Sequence, residues 1–219
     1  MNEFVRSFRK QHIHVRVIIA GSDITSAADN TAIDYAVYRL RDIFVNAGIG
    51  IGLILRQGLT LANSKGHAAI VTEDGIRRAG ADLTNDFPFI TQSGHTADGS
   101  RTALPVVVPA NMLVPKANPD GTITFVGGKS PEPGPCAYPG VGKSRSAVIG
   151  ISGESTGRTM AHEVGHFLGA SHPANPDNSL MTQSVNVMID AFDAVTINAA
   201  DVQVMLRHCK ILPGLVGVV

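Results

Sequence analysis

Along the chain, apolar residues fall into alternating and helix-spaced stretches. In residues 14–20 (HVRVIIA), Val15, Val17 and Ile19 alternate with polar or smaller residues before Gly21 breaks the run. A period of two is that of a strand. Over residues 26–46, Ile33, Val37, Leu40 and Phe44 recur at helical spacing, with Ser26 and Asp29 placed as a capping box and Gly48 past the last turn. A long helix is expected there. Ile-, Leu- and Val-rich runs over 49–56, 104–109, 122–126 and 147–152 are strand candidates between turn residues. Residues 59–102 are irregular and polar apart from a short helix predicted over 72–79, and 127–145 is dense in Gly, Pro and Ser, which marks a loop or flap.

Two further helices close the pattern. Over residues 155–169, Met160, Val164, Phe167 and Leu168 cover an apolar face while His162 and His166 fall on another. Near the end, Ile197, Asn198, Asp201 and Val202 form a hydrophobic staple around a capping box, and Val202, Met205, Leu206 and Cys209 make a buried stripe. No internal repeat appears.

Composition narrows the function classes. The 219 residues suffice for one substantial core, or one domain split around a cleft. Eighteen Lys and Arg balance eighteen Asp and Glu without bunching, so no footprint for nucleic acid or an anionic membrane surface is visible. Apolar runs are strand-sized, short of the roughly 20 residues of a membrane-spanning helix. The basic N-terminal stretch MNEFVRSFRKQHIH lacks the features of a secretory signal, so the chain is expected to be cytoplasmic or a processed form. The two cysteines, Cys136 and Cys209, are not spaced as a CxxC pair. A disulfide joining distant segments and two buried thiols both fit.

The chemistry sits in residues 162–172, HEVGHFLGASH. His162 and His166 are one helical turn apart, so both imidazoles can reach one ion from the same side. Glu163 lies about 100° further round, where its carboxylate can touch a water on that ion without becoming a ligand. Gly169 permits the left-handed turn that ends the helix and brings His172 back. Three protein ligands with an open position are the catalytic zinc arrangement, whereas structural sites are closed by four. A bare HExxH arises by accident often enough to be a weak signal, but the longer pattern has a chance probability on the order of a few in 100,000 in this composition.

The pattern HExxHxxGxxH resembles the metzincins, zinc metallopeptidases in which a Met-turn follows. Residues 178–182 (NSLMT) supply one, with Met181 nine positions after His172. The resemblance implies an α+β zincin fold: a twisted, mixed β-sheet with two backing helices, and a small lower lobe ending in a C-terminal helix. It implies a single catalytic domain over 1–219, with an upper lobe at about 12–169 and a lower lobe at about 170–219. It further implies zinc on His162, His166 and His172, Glu163 as general base, Met181 as an apolar floor beneath the histidines, and peptide-bond hydrolysis. A protein or peptide substrate is expected to add as a strand along residues 122–128, with residues 182–187 walling the pocket after the cut bond.

Subfamily marks are mixed. Pro173 is similar to serralysins and the short path to Met181 to matrixins. The pair Cys136 and Cys209 resembles the disulfide that ties the zinc-helix lobe to the last helix in adamalysins, which implies that the two are joined. Gln183 stands where astacins and serralysins carry a tyrosine, so a tyrosine ligand or oxyanion donor from that position is not expected. Cys136 could alternatively imitate the zinc-blocking cysteine of matrixin propeptides. Asp177, Asn178 and Asp193 are candidate oxygen donors to calcium, which metzincins often carry. His12, His14, His67, His95 and His208 are read as ordinary surface or core histidines. Secretion or delivery outside the cell is expected, with a cytoplasmic location left open by the lack of a visible signal peptide; the oligomeric state is not fixed. Two rivals stand beside the peptidase: a binding module that keeps the zinc but has lost turnover, and an effector protease acting on one specific protein.

Overall fold

A computed structural model describes residues 10–84, 103–136, 142–174, 179–182 and 195–214. The calcium candidates Asp177, Asn178 and Asp193, together with His95, Gln183 and most of the expected 182–187 wall, lie outside them.

Strand β1 (His12–Ala20) leads through helix α1 (Ala27–Asn46) to a parallel neighbour, β2 (Gly50–Leu59). Ser26 caps α1 by accepting from the Asp29 amide, and donates its own hydroxyl to the Asp29 carboxylate. The helix ends as the sequence suggests, with Gly48 at φ +90° and Ile49 N donating to Phe44 O at 2.9 Å. Next come a short β3 (Ala69–Ile70), helix α2 (Glu73–Asp82), capped by Thr72, and β4 (Leu104–Pro109). Strands β5 (Asn111–Met112), β6 (Pro115–Ala117), β7 (Ile123–Phe125), β8 (Gly128–Lys129) and β9 (Ala147–Ile149) precede helices α3 (Ser155–Phe167) and α4 (Ala199–Met205).

The five-stranded main sheet runs β2-β1-β4-β9-β8, parallel except for antiparallel β8 at its edge. Alternate residues send opposite faces into different cores. Ile13, Val15, Val17 and Ile19, with Val106 and Ile149, pack against α1 (Ile33, Leu40, Phe44) and α3 (Met160, Val164, Phe167). Ile18, Ala20, Val107 and Val148 pack on the other face against α2, β3 and β5. Each fully buried Ile, Leu or Phe there contributes about 1.5–3 kcal/mol of transfer free energy, so the first core holds α3 against the sheet and the second holds α2 on its other face.

Several expectations are adjusted. Strand β1 starts two residues before the alternating run 14–20, and all nine of its residues are buried, because a second layer covers the far face. His14 fits inside by accepting from the Leu53 amide at 3.0 Å, where the β1–β2 register slips between Ile13 and Val15. The expected edge segment 122–128 divides: β7 pairs with β6 in a separate hairpin, and only Gly128 belongs to the sheet edge. Helix α4 is shorter than its apolar stripe, with Met205 its one fully buried residue and Cys209 exposed beyond its end.

Candidate metal centre

Helix α3 is buried along nearly its whole length, which fixes its side chains. It ends in a Schellman turn: Gly169 takes φ +99°, Gly169 N donates to His166 O at 2.8 Å, and Ala170 N donates to Gly165 O at 3.0 Å. That reversal brings His172 beside the two helix histidines. The three Nε2 atoms form a triangle of 3.0 Å (His162–His166), 2.9 Å (His166–His172) and 3.2 Å (His162–His172).

Proton placement follows from the outer nitrogens. His162 Nδ1 donates to Leu180 O at 2.8 Å and His166 Nδ1 donates to Ala170 O at 2.8 Å. A carbonyl only accepts, so both neutral rings carry their proton on Nδ1 and turn a bare Nε2 inward. Burial holds the His162 pKa down at about 4, with His166 and His172 adding to the effect and the Leu180 carbonyl opposing it. Burial also lowers His172. Converging lone pairs repel unless a cation sits among them. Tetrahedral zinc with bonds of about 2.0–2.1 Å sets its nitrogens about 3.3–3.4 Å apart, within a few tenths of an ångström of the triangle found. The donor set therefore fits zinc.

Residues 179–182 support this site from below. Leu180 N donates to Thr196 O at 2.7 Å, and Arg158 from α3 donates to Ser179 O at 3.3 Å. Met181 is fully buried against Gly165, where any Cβ would lie 2.7 Å from its sulfur. The turn thus packs its methionine under the helix between the two histidines while its Leu180 carbonyl orients His162.

Glu163 is 6% exposed and its Oε2 has no hydrogen-bond partner among the described residues. Burial pushes its pKa up to about 8, opposed by Lys129 and reinforced by Glu132. It faces a cleft of about 270 Å³, lined also by residues 124–128 beside the sheet edge, Thr159, His162 and Lys116.

The other candidates separate. Cys136 and Cys209 form a disulfide with Cα atoms 5.8 Å apart. His67 contacts Asp82 at 2.9 Å, His208 donates to Gly134 O, and His12 and His14 sit inside the sheet layer. One charged neighbour of the triangle carries no sequence signature: Glu132 Oε2 lies 3.1 Å from His166 Nδ1. Glu132 comes from the Pro-rich loop 130 to 136, 34 residues before His166, where neither periodicity nor motif marks it.

No family model matches the sequence, and no curated protein matches it. The fold is similar to that of metalloproteinase-II from Bacteroides fragilis, with a TM-score of 0.53 and 16% identity over 91% of this chain and 53% of that one. The chain thus spans about half the length of that protein. Archaemetzincin from Methanopyrus kandleri gives a TM-score of 0.48 and 15% identity over 89% of this chain and 94% of that one. At such identities the likeness is one of fold, and the α+β architecture with a mixed sheet expected from the sequence is the one found.

Proposed function

We propose that the chain is a zinc-dependent endopeptidase with His162, His166 and His172 as ligands and Glu163 as general base. The observation that carries this is the convergence of three Nε2 atoms, two of them on rings whose Nδ1–H is given to a carbonyl behind, beside a buried carboxylate with an unpartnered oxygen. When bound, zinc supplies Lewis-acid polarisation of a carbonyl and acidifies water.

The protein's own groups do the rest. The exposed strand edge at β8 offers backbone hydrogen bonds to an extended peptide, whose scissile carbonyl then lies over the triangle. Glu163 takes a proton from the attacking water as its oxygen bonds the carbonyl carbon, and returns that proton to the amide nitrogen as the C–N bond breaks. Burial alone would leave this carboxyl largely protonated near neutrality, and the charge of a cation held by the triangle would lower its pKa so that it starts as the base. Met181 holds the histidine-bearing turns from below. Similarity in fold to a metalloproteinase supports the coarse activity, and the cleft beside the sheet edge supports the endopeptidase mode. The upper lobe over 12–169, the lower lobe over 170–219 and a location in an oxidising compartment outside the cytoplasm complete the reading, the last supported by the exposed disulfide.

Metal analysis tests it. The purified chain should hold one zinc and the His166→Ala variant close to none; undiminished zinc in the variant removes His166 from the centre.

A further inference from the structure

Glu132 is surface-exposed, yet it is held in one place by several contacts. Its Oε2 lies 3.1 Å from His166 Nδ1, on the side of the ring away from the Nε2 triangle, while Ser171 Oγ donates to its other oxygen. Ser171 stands between Ala170, whose carbonyl takes the His166 proton, and His172. The carboxylate charge also acts on His172 and Glu163.

The loop carrying Glu132 is fastened to the end of α3. Gly134 N donates to Phe167 O at 2.7 Å, and the residue lies so close to the Phe167 ring that a Cβ would sit 2.3 Å from it. His208 Nε2 donates to Gly134 O at 3.0 Å and packs its ring edge-on to Phe167 at 5.6 Å. Two residues further on, Cys136 is joined to Cys209.

We propose that Glu132 is a positioning residue of the metal centre, a carboxylate held behind His166 by a strap that the Cys136–Cys209 disulfide pins to the C-terminal segment. The inference rests on the three-histidine zinc reading. The Nδ1 proton goes to Ala170 O, which fixes the ring, while the carboxylate 3.1 Å from the same nitrogen adds negative charge that raises the basicity of the nitrogen facing the ion; losing a partner behind a ligating imidazole typically costs about 10- to 100-fold in metal affinity. An exposed glutamate on an unfastened loop would gain little from this contact, because ordering its side chain offsets the attraction. The strap removes most of that cost, which links an exposed disulfide to the buried site.

The test is zinc affinity of the full chain, measured by competition with a chelator, for the parent, Glu132→Gln, the Cys136→Ser/Cys209→Ser pair and their combination. Serines are used in place of a reductant because freed thiols at 136 and 209, with His208, would offer a second set of ligand atoms. Glu132→Gln should weaken zinc about 10- to 100-fold, shift the cobalt(II) absorption spectrum and leave the metal-free melting temperature unchanged. The serine pair should weaken zinc alone but add nothing in the Glu132→Gln background. Equal affinity of parent and Glu132→Gln overturns the proposal, as does a serine-pair effect of the same factor in both backgrounds. A parent that binds no zinc at all overturns the metal reading beneath it.

Discussion

Replacing Glu163 by Gln separates what the carboxyl does for chemistry from what it costs the fold. In the metal-free protein, burial raises its pKa from the usual 4.5 to about 8, so the folded state holds the proton more tightly than the unfolded chain. Stability is therefore complete below 4.5 and is lost as pH rises towards about 8. At about 1.4 kcal/mol per pH unit across that interval, the loss has a ceiling of about 4–5 kcal/mol, which water entry and relaxation reduce. Glutamine has the same shape and does not titrate. Urea unfolding in excess chelator should find the two proteins close in stability at about pH 5 and the variant more stable by about 2–4 kcal/mol at about pH 9. His162, held near a pKa of about 4, titrates in both proteins and cancels from the difference. The zinc-loaded variant should keep its metal and lose at least about 100-fold in peptidase rate, the lower range for a positioned acid–base group. Parallel pH profiles of stability would refute the burial argument. Undiminished cleavage would refute the assignment of the base.

Other consequences are smaller. The native chain should titrate no free thiols after unfolding without reductant, and the Cys136→Ser/Cys209→Ser pair should lose about 4 kcal/mol in urea unfolding, the chain-entropy value for a 73-residue separation; two titrating thiols in the parent would contradict the disulfide. Met181→Ala should cost about 2–5 kcal/mol through the cavity it leaves, whereas Met181→Leu should cost under about 1.5 kcal/mol. Zinc stoichiometry should stay at one per chain in Met181→Leu, since the sulfur packs on Gly165 beneath the helix; loss of zinc there would make Met181 more than a floor.

The centre was legible where its geometry is local. His162, His166 and the Gly169 reversal lie within one helix and its cap, and the turn that delivers His172 needs only the left-handed glycine. The α1 helix, the β4 strand and the Thr72 start of α2 were legible for the same reason: caps and periods are short-range. Longer-range features left weaker marks. The burial of His12, His14 and Arg16 leaves no mark in the period of β1, because it depends on the layer over the far face and on a register slip against β2. Strand β8 spans just Gly128 and Lys129, too short for alternation to show, so the sheet edge was placed a few residues early. Glu132 is hidden for the clearest reason: its neighbour His166 is brought to it by the folding of a Pro-rich loop over Phe167. The one signal that could have pointed there is Cys136, four residues on, whose pairing with Cys209 draws that loop to the end of α3.

The central claim is that a three-histidine zinc site in this cleft cuts peptide bonds. Its most direct test is cleavage of a broad unstructured substrate such as casein at neutral pH by the zinc-loaded chain, by the same chain in excess chelator, and after zinc is restored. Internal cuts should appear, stop in chelator and return with zinc. Cleavage indifferent to the chelator, or none from a chain shown to carry its zinc, would contradict the claim.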